Sequence, residues 1–326
     1  MELYKILNDL NHFKIKSIAV NSKYVAYMHE NFKMTICSLN GKLKKIIKDK
    51  ICCIAMNEKY IVSGCDEDGV YQAKIWDINE IINSEGVAVN KNSLSPKVIK
   101  HIYPLKSVAI QGNKIVTLTS DTKEPIKIWD FKGDLKQTIQ TFLTVNCIAT
   151  YKNLIAYVSA NKELSIWDME EKEIQYKVDI DYPRNSIAMN KNCVAIAYSK
   201  YVSDTFKKYI KTWRKNKYGN LDSKKDLIDA DFVVMNDNYI VTASNVIKNH
   251  GTSLEGKIHL FDAEQKQIDT KSLNIDSQIT CIDMHLNNIV IARKEGSANK
   301  IEIWKIEDGA TENSGSGSKF KYLLKY

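Results

Sequence analysis

An all-β ring of four-stranded antiparallel blades, a seven-bladed β-propeller, is the fold this 326-residue sequence predicts, and three observations predict it. A small apolar pair recurs seven times, each time followed by a second apolar pair at an offset of seven residues. All five tryptophans fall at one position of a third recurring segment. The first anchors are spaced 36 to 54 residues apart, enough for four short strands and their turns.

The paired anchors supply the first two strands of each blade. They read Ile18-Ala19 with Val25-Ala26, Ile54-Ala55 with Ile61-Val62, Val108-Ala109 with Ile115-Val116, and Ile148-Ala149 with Ile155-Ala156. The others are Ile187-Ala188 with Val194-Ala195, Val233-Val234 with Ile240-Val241, and Ile282-Asp283 with Ile289-Val290. Five residues after each first anchor stand Lys23, Lys59, Asn113, Asn153, Asn192, Asn238 and Asn287. Asn tolerates the left-handed backbone of a tight hairpin, so these residues are expected to make the turns. Blades then begin near residues 17, 53, 107, 147, 186, 232 and 281 of a single domain spanning 1–326.

The third strand carries Ile75-Trp76-Asp77, Ile128-Trp129-Asp130 and Ile166-Trp167-Asp168, with Trp213 and Trp304 at the same place. Phe261 substitutes in the sixth copy, and the first copy reads Met34-Thr35-Ile36-Cys37. Alternation such as Lys127-Ile128-Trp129 fits a half-buried strand, and the runs rich in Ile, Val and Tyr argue against helical repeats. Residues 43–47, 135–139 and 174–178 read as fourth strands. Residues 3–7 lie before Ile18 at nearly the spacing of other fourth strands, which favours them as the strand that closes the ring. Residues 320–326 alternate as well, after a flexible segment at 308–318, and would otherwise pair at an edge or dock elsewhere.

These motifs, with Tyr60-Ile61-Val62-Ser63-Gly64-Cys65-Asp66, resemble the WD-repeat family over residues 1–307. The resemblance implies a propeller that binds partners rather than one that catalyses. The Gly-His dipeptide that often precedes the family's first strands is absent, and the family's turn Asp survives only patchily, as Asp68 and Asp121. The family's His, Ser, Trp and Asp hydrogen-bond network is therefore not expected intact, and stability should lean on apolar packing between blades.

Composition narrows the function classes. The formal charge of +8 comes from 47 Lys and Arg against 39 Asp and Glu. Only Arg184, Arg214 and Arg293 are arginines, which disfavours bidentate phosphate reading and the paired-Arg lipid motif of some propellers. No apolar run is long enough to cross a membrane as a helix, so no membrane insertion is expected. The seven cysteines form no Cys-x-x-Cys pair, adjacent Cys52 and Cys53 suit an ordinary disulfide poorly, and a reducing cytoplasmic or similar intracellular compartment is expected. No phosphate-binding loop, zinc-binding helix motif or nucleophile elbow is present, so no cofactor, metal, small-molecule substrate or enzymatic activity is expected. The run Asp66-Glu67-Asp68-Gly69 reads as a β-turn rather than a calcium loop.

Function is expected in loops on a rigid scaffold. From first anchor to Trp position the seven copies span 19, 22, 21, 19, 26, 28 and 22 residues, so copies five and six carry insertions on one face, the top. Tyr201, Phe206, Lys207 and Lys208 in one, and Lys248, His250 and Leu254 in the other, are the candidate partner-binding residues. Aromatics beside cations can anchor a peptide or stack on a base. Insertions of this kind are also what drifting solvent-exposed loops would show. The connection from Ile81 to Pro96 is expected as a mobile loop on the opposite face. The function expected is a protein-interaction scaffold or adaptor within a multiprotein complex; the alternative is a basic propeller associated with RNA or ribonucleoprotein.

Overall fold

Each strand alternates its side chains between two faces, and most of these strands are apolar on both. A sheet of that kind must be covered twice, and a ring of sheets covers every one with its two neighbours. The computed structural model describes residues 1–9, 13–90, 94–180, 183–202, 205–215, 221–223, 227–228, 230–248, 253–262, 264–275 and 277–307. The expected C-terminal segments 308–318 and 320–326 lie outside the described residues.

The chain forms a seven-bladed propeller. Strand β1 (Glu2–Asp9) precedes blade 1, which holds β2 (Ile15–Val20), β3 (Tyr24–His29), β4 (Lys33–Ser38) and β5 (Leu43–Lys48). Blade 2 holds β6 (Ile51–Met56), β7 (Tyr60–Glu67) and β8 (Val70–Asp77); the chain then passes through α1 (Ile78–Asn83) and β9 (Ala88–Asn90) before returning as its outer strand β10 (Lys97–His101). Blade 3 is β11 (Leu105–Gln111) to β14 (Leu135–Ile139), and blade 4 is β15 (Val145–Tyr151) to β18 (Glu173–Asp179). Blade 5 comprises β19 (Pro183–Met189), β20 (Cys193–Val202), β21 (Thr205–Lys215), β22 (Leu221–Ser223) and the short β23 (Leu227–Ile228). Blade 6 runs from β24 (Phe232–Met235) through β25 (Tyr239–Lys248) and β26 (Ser253–Asp262) to β27 (Gln267–Ile275). Blade 7 is β28 (Ser277–His285), β29 (Asn288–Glu295) and β30 (Ala298–Lys305), completed by β1, with Leu3 opposite Trp304 and Leu7 opposite Ile301. The N-terminal strand thus closes the ring, and β28 packs against β2 as each innermost strand packs against the next.

One apolar cluster fills each of the seven interfaces between blades. Trp76 and Trp213 are among the largest fully buried side chains. Two tryptophans hydrogen-bond to the second strand of their own blade: Trp76 Nε1 donates to Ser63 Oγ and Trp129 Nε1 to Thr117 Oγ1, each at 2.9 Å. Trp304 instead donates to the buried Glu302, whose other oxygen accepts from Arg293 Nε at 2.7 Å. The Asp after Trp caps the turn that follows. Asp130 accepts the backbone N–H groups of Lys132 and Asp134, Asp168 those of Glu170 and Glu171, and Asp77 those of Asn79 and Glu80 at the start of α1.

Three expectations are corrected. First, the Asn residues expected to be left-handed are not. In blades 3, 4 and 7 the left-handed residue is the one before, Gly112, Lys152 or Leu286. In blades 1, 2, 5 and 6 the turn is built by Asn21, Asn57, Asn190 and Asn236, whose Oδ1 accepts two backbone N–H groups just ahead. Three of these also donate to the next blade: Asn21 to Asn57, Asn190 to Asn236, and Asn236 to Leu286. Second, the connection after Ile81 is partly regular. Ile78 and Ile81 of α1 are buried, and β9 pairs in parallel with β5, giving blade 1 a fifth strand. Buried Lys45 ties this excursion down through the carbonyls of Ser84 and Gly86. Third, the insertions of copies five and six are not loops. Strand pairing continues out to Val202 opposite Thr205 and to Lys248 opposite Ser253, so both rise as extended hairpins.

Candidate functional site

The top face carries the connections from second to third strands and from each blade to the next. Of the residues singled out above, Tyr201 is 56% exposed near the tip of the blade 5 hairpin. Phe206 lies opposite it in register, and Lys207 is exposed opposite Lys200. The side chains of Phe206 and Lys248, and His250 altogether, lie outside the described residues. Lys208 does not face solvent alone: its Nζ meets Asp231 Oδ2 at 2.8 Å and the Asn245 carbonyl at 3.2 Å, bracing the blade 5 hairpin on blade 6. Leu254 is half-buried, and with Lys208, Lys14, Asp231 and Gln278 it lines a cleft of about 430 Å³. Asn245 stitches that wall to blade 7, exchanging two hydrogen bonds with the Ile279 backbone.

This cleft adjoins the central channel, a cavity of about 720 Å³ walled by innermost strands and lined by Lys16, Lys106, Asn146, Thr280 and Asp283 among others. Asp283 occupies a place where five other copies carry Ala. It accepts the Val20 N–H of blade 1 at 2.9 Å. Protein surrounds the carboxyl except toward the channel, and that desolvation raises it to about 7.

A second top-face feature escaped the sequence reading. The short connections entering blades 3 and 4 expose Ile102 (84%), Tyr103, Phe142 (73%) and Leu143. Phe142 is left-handed, with φ of 55°, an uncommon state for a bulky residue. Together these connections border a cleft of about 320 Å³ lined by His101, Tyr103, Thr119, Asp121, Lys123 and Phe142. His101 stands edge-on to Trp129, and burial lowers its imidazole to about 4, so it faces the cleft neutral. Phe32, in a top-face turn of blade 1, is also exposed and left-handed. Insertion length could not reveal this ledge; the available signal was apolar residues placed in short turns.

Several lysines are held by carboxylates, including Lys16 by Glu30, Lys74 by Asp49, Lys177 by Glu163 and Lys300 by Glu295. Among the described residues no three His, Cys, Asp or Glu side chains converge as a metal site, and no helix is long and apolar enough to cross a membrane. No family model matches the chain, and no curated protein is significantly similar to it in sequence.

Proposed function

We propose that the chain is a non-catalytic interaction scaffold, a divergent relative of the WD-repeat propellers, that holds a protein partner on its top face. The observation that carries this reading is the ledge of Ile102, Tyr103, Phe142 and Leu143. Apolar side chains placed together on short, well-anchored connections lose little entropy when they bind and bury much surface. Keeping Phe142 left-handed costs folding energy that its own packing does not return, since most of the side chain stands in water. The blade 5 and blade 6 hairpins bound the far side of the same face, and the partner is proposed to reach Tyr201 and Lys207 there.

The test compares crosslinked complexes recovered from the native source with the wild-type chain and with an Ile102→Ser, Phe142→Gly variant. A protein held by wild type and lost from the folded variant is the expected result. Recovery of the bait alone, or a partner retained in full by the variant, refutes the ledge. Crosslinked RNA that dissociates as salt rises would favour the ribonucleoprotein alternative instead.

A further inference from the structure

Cys52 and Cys53 are neighbours in β6, and neighbouring side chains of a regular strand point to opposite faces. Here they do not. The pairing of β6 with β7 slips between Ile51 and Cys53, a β-bulge that sets two residues of β6 against one of β7. The bulge brings the two sulfurs to one side, with Sγ–Sγ of 3.8 Å. The same bulge recurs in blades 1, 3, 4 and 7, where it carries Lys16-Ser17, Lys106-Ser107, Asn146-Cys147 and Thr280-Cys281. Among the described residues only blade 2 puts two thiols there.

Room for both sulfurs comes from the facing strand. Cys53 lies opposite Gly64. A Cβ at Gly64 would stand 2.5 Å from Cys53 Sγ and 3.2 Å from Cys52 Sγ. The equivalent partners in the other bulged blades carry side chains: Met28, Leu118, Val158 and Ala292. Cys53 is buried, while Cys52 is half-buried and keeps solvent access, with its Sγ 3.6 Å from the Leu105 carbonyl of blade 3.

We propose that Cys52 and Cys53 form a two-sulfur clamp for one soft d10 cation of the zinc and cadmium kind. Two thiolates bound at about 2.3 Å to a tetrahedral ion stand ~3.8 Å apart, so the pair is already at chelating distance. A disulfide fits less well. Adjacent Cα atoms are about 3.8 Å apart, short of the roughly 4.4–6.8 Å that disulfides span, so closing this pair would strain it. Binding forms two metal–sulfur bonds and releases one proton from each thiol to solvent, with no change of oxidation state. Two protein ligands leave the remaining positions to water, which makes the clamp exchangeable.

The test titrates the reduced, full-length protein with Cd2+ alone and follows the ultraviolet thiolate-to-cadmium charge-transfer band, with Zn2+ as competitor. One equivalent is expected to bind. Cys52→Ser and Cys53→Ser should each weaken binding by at least the roughly tenfold that loss of a supporting contact costs. Gly64→Ala, which keeps both sulfurs but fills their space, should also lose the band. Cys193→Ser, on the other side of the ring, should bind as wild type does. Thermal unfolding establishes that each variant is folded. Cys52→Ser binding Cd2+ as tightly as wild type overturns the proposal. So does a protein that, isolated without reductant, already lacks both thiol hydrogens at this pair.

Discussion

Replacing Asp283 by Asn tests the channel wall. The side chain keeps an acceptor for the Val20 N–H and loses its charge. Desolvation raises the folded-state carboxyl from 3.8 to about 7. The ionised form is therefore the disfavoured one in the fold. Below about pH 4 the carboxyl is neutral in folded and unfolded chains alike, and it costs nothing. Through the window from about 4 to 7 the unfolded chain ionises first, so the wild type loses stability as pH rises, and the loss is complete above about 7. About three pH units at ~1.36 kcal/mol each set a ceiling of about 4 kcal/mol. Partial access to channel water reduces the expected effect to about 1–3 kcal/mol. Urea unfolding of wild type and Asp283→Asn at about pH 4.5 and about pH 8 measures it: the variant should be clearly the more stable at the higher pH and gain little at the lower. An equal difference at both values, or a variant less stable at the higher pH, would refute the reasoning.

Three further outcomes are expected. Lys74 Nζ stands 2.6 Å from Asp49 Oδ2 with both side chains buried, so Lys74→Met should cost about 3–5 kcal/mol by stranding the carboxylate. The double replacement Asp49→Leu, Lys74→Met should recover most of that, and denaturant midpoints of the complete mutant cycle decide it. Leu7, buried on the closing strand beside Ile301 and Ile303, should cost about 2–4 kcal/mol when truncated to Ala. Deleting residues 1–9 should leave β30 as an open edge and raise the apparent mass in size-exclusion chromatography with light scattering.

The repeat was legible because a blade is local. The second members of the anchor pairs, such as Ala19 and Ala26, face each other across a hairpin a few residues long, so their fixed offset is a direct image of strand pairing. The tryptophans were legible for the same reason: Trp129 and Trp167 stand opposite Ile115 and Ile155 on the neighbouring strand. The turns were only half legible. Asn was recognised as a turn former, but at Asn113, Asn153 and Asn287 the left-handed state belongs to the preceding residue. In blade 1 the turn belongs to Asn21 rather than Lys23, because a side-chain oxygen that accepts two backbone N–H groups fixes it without a left-handed residue. The site was less legible still. Insertion length pointed to blades 5 and 6, where Lys208 proves to be an internal brace, and it passed over Ile102 and Phe142 in connections of ordinary length.

The sequence alone determined seven four-stranded units and the strand that carries each Trp, because hydrophobic periodicity and turn chemistry act over a few residues. Tertiary structure alone decided what depends on groups far apart in the chain. It placed β1 on β30 and β9 on β5, and it set Asp283 against Val20. It also cleared the space at Gly64 in which two adjacent thiols turn to one side. A ring folds distant segments onto one another, and the exposure of a side chain or the desolvation of a carboxyl is fixed only when the neighbour arrives.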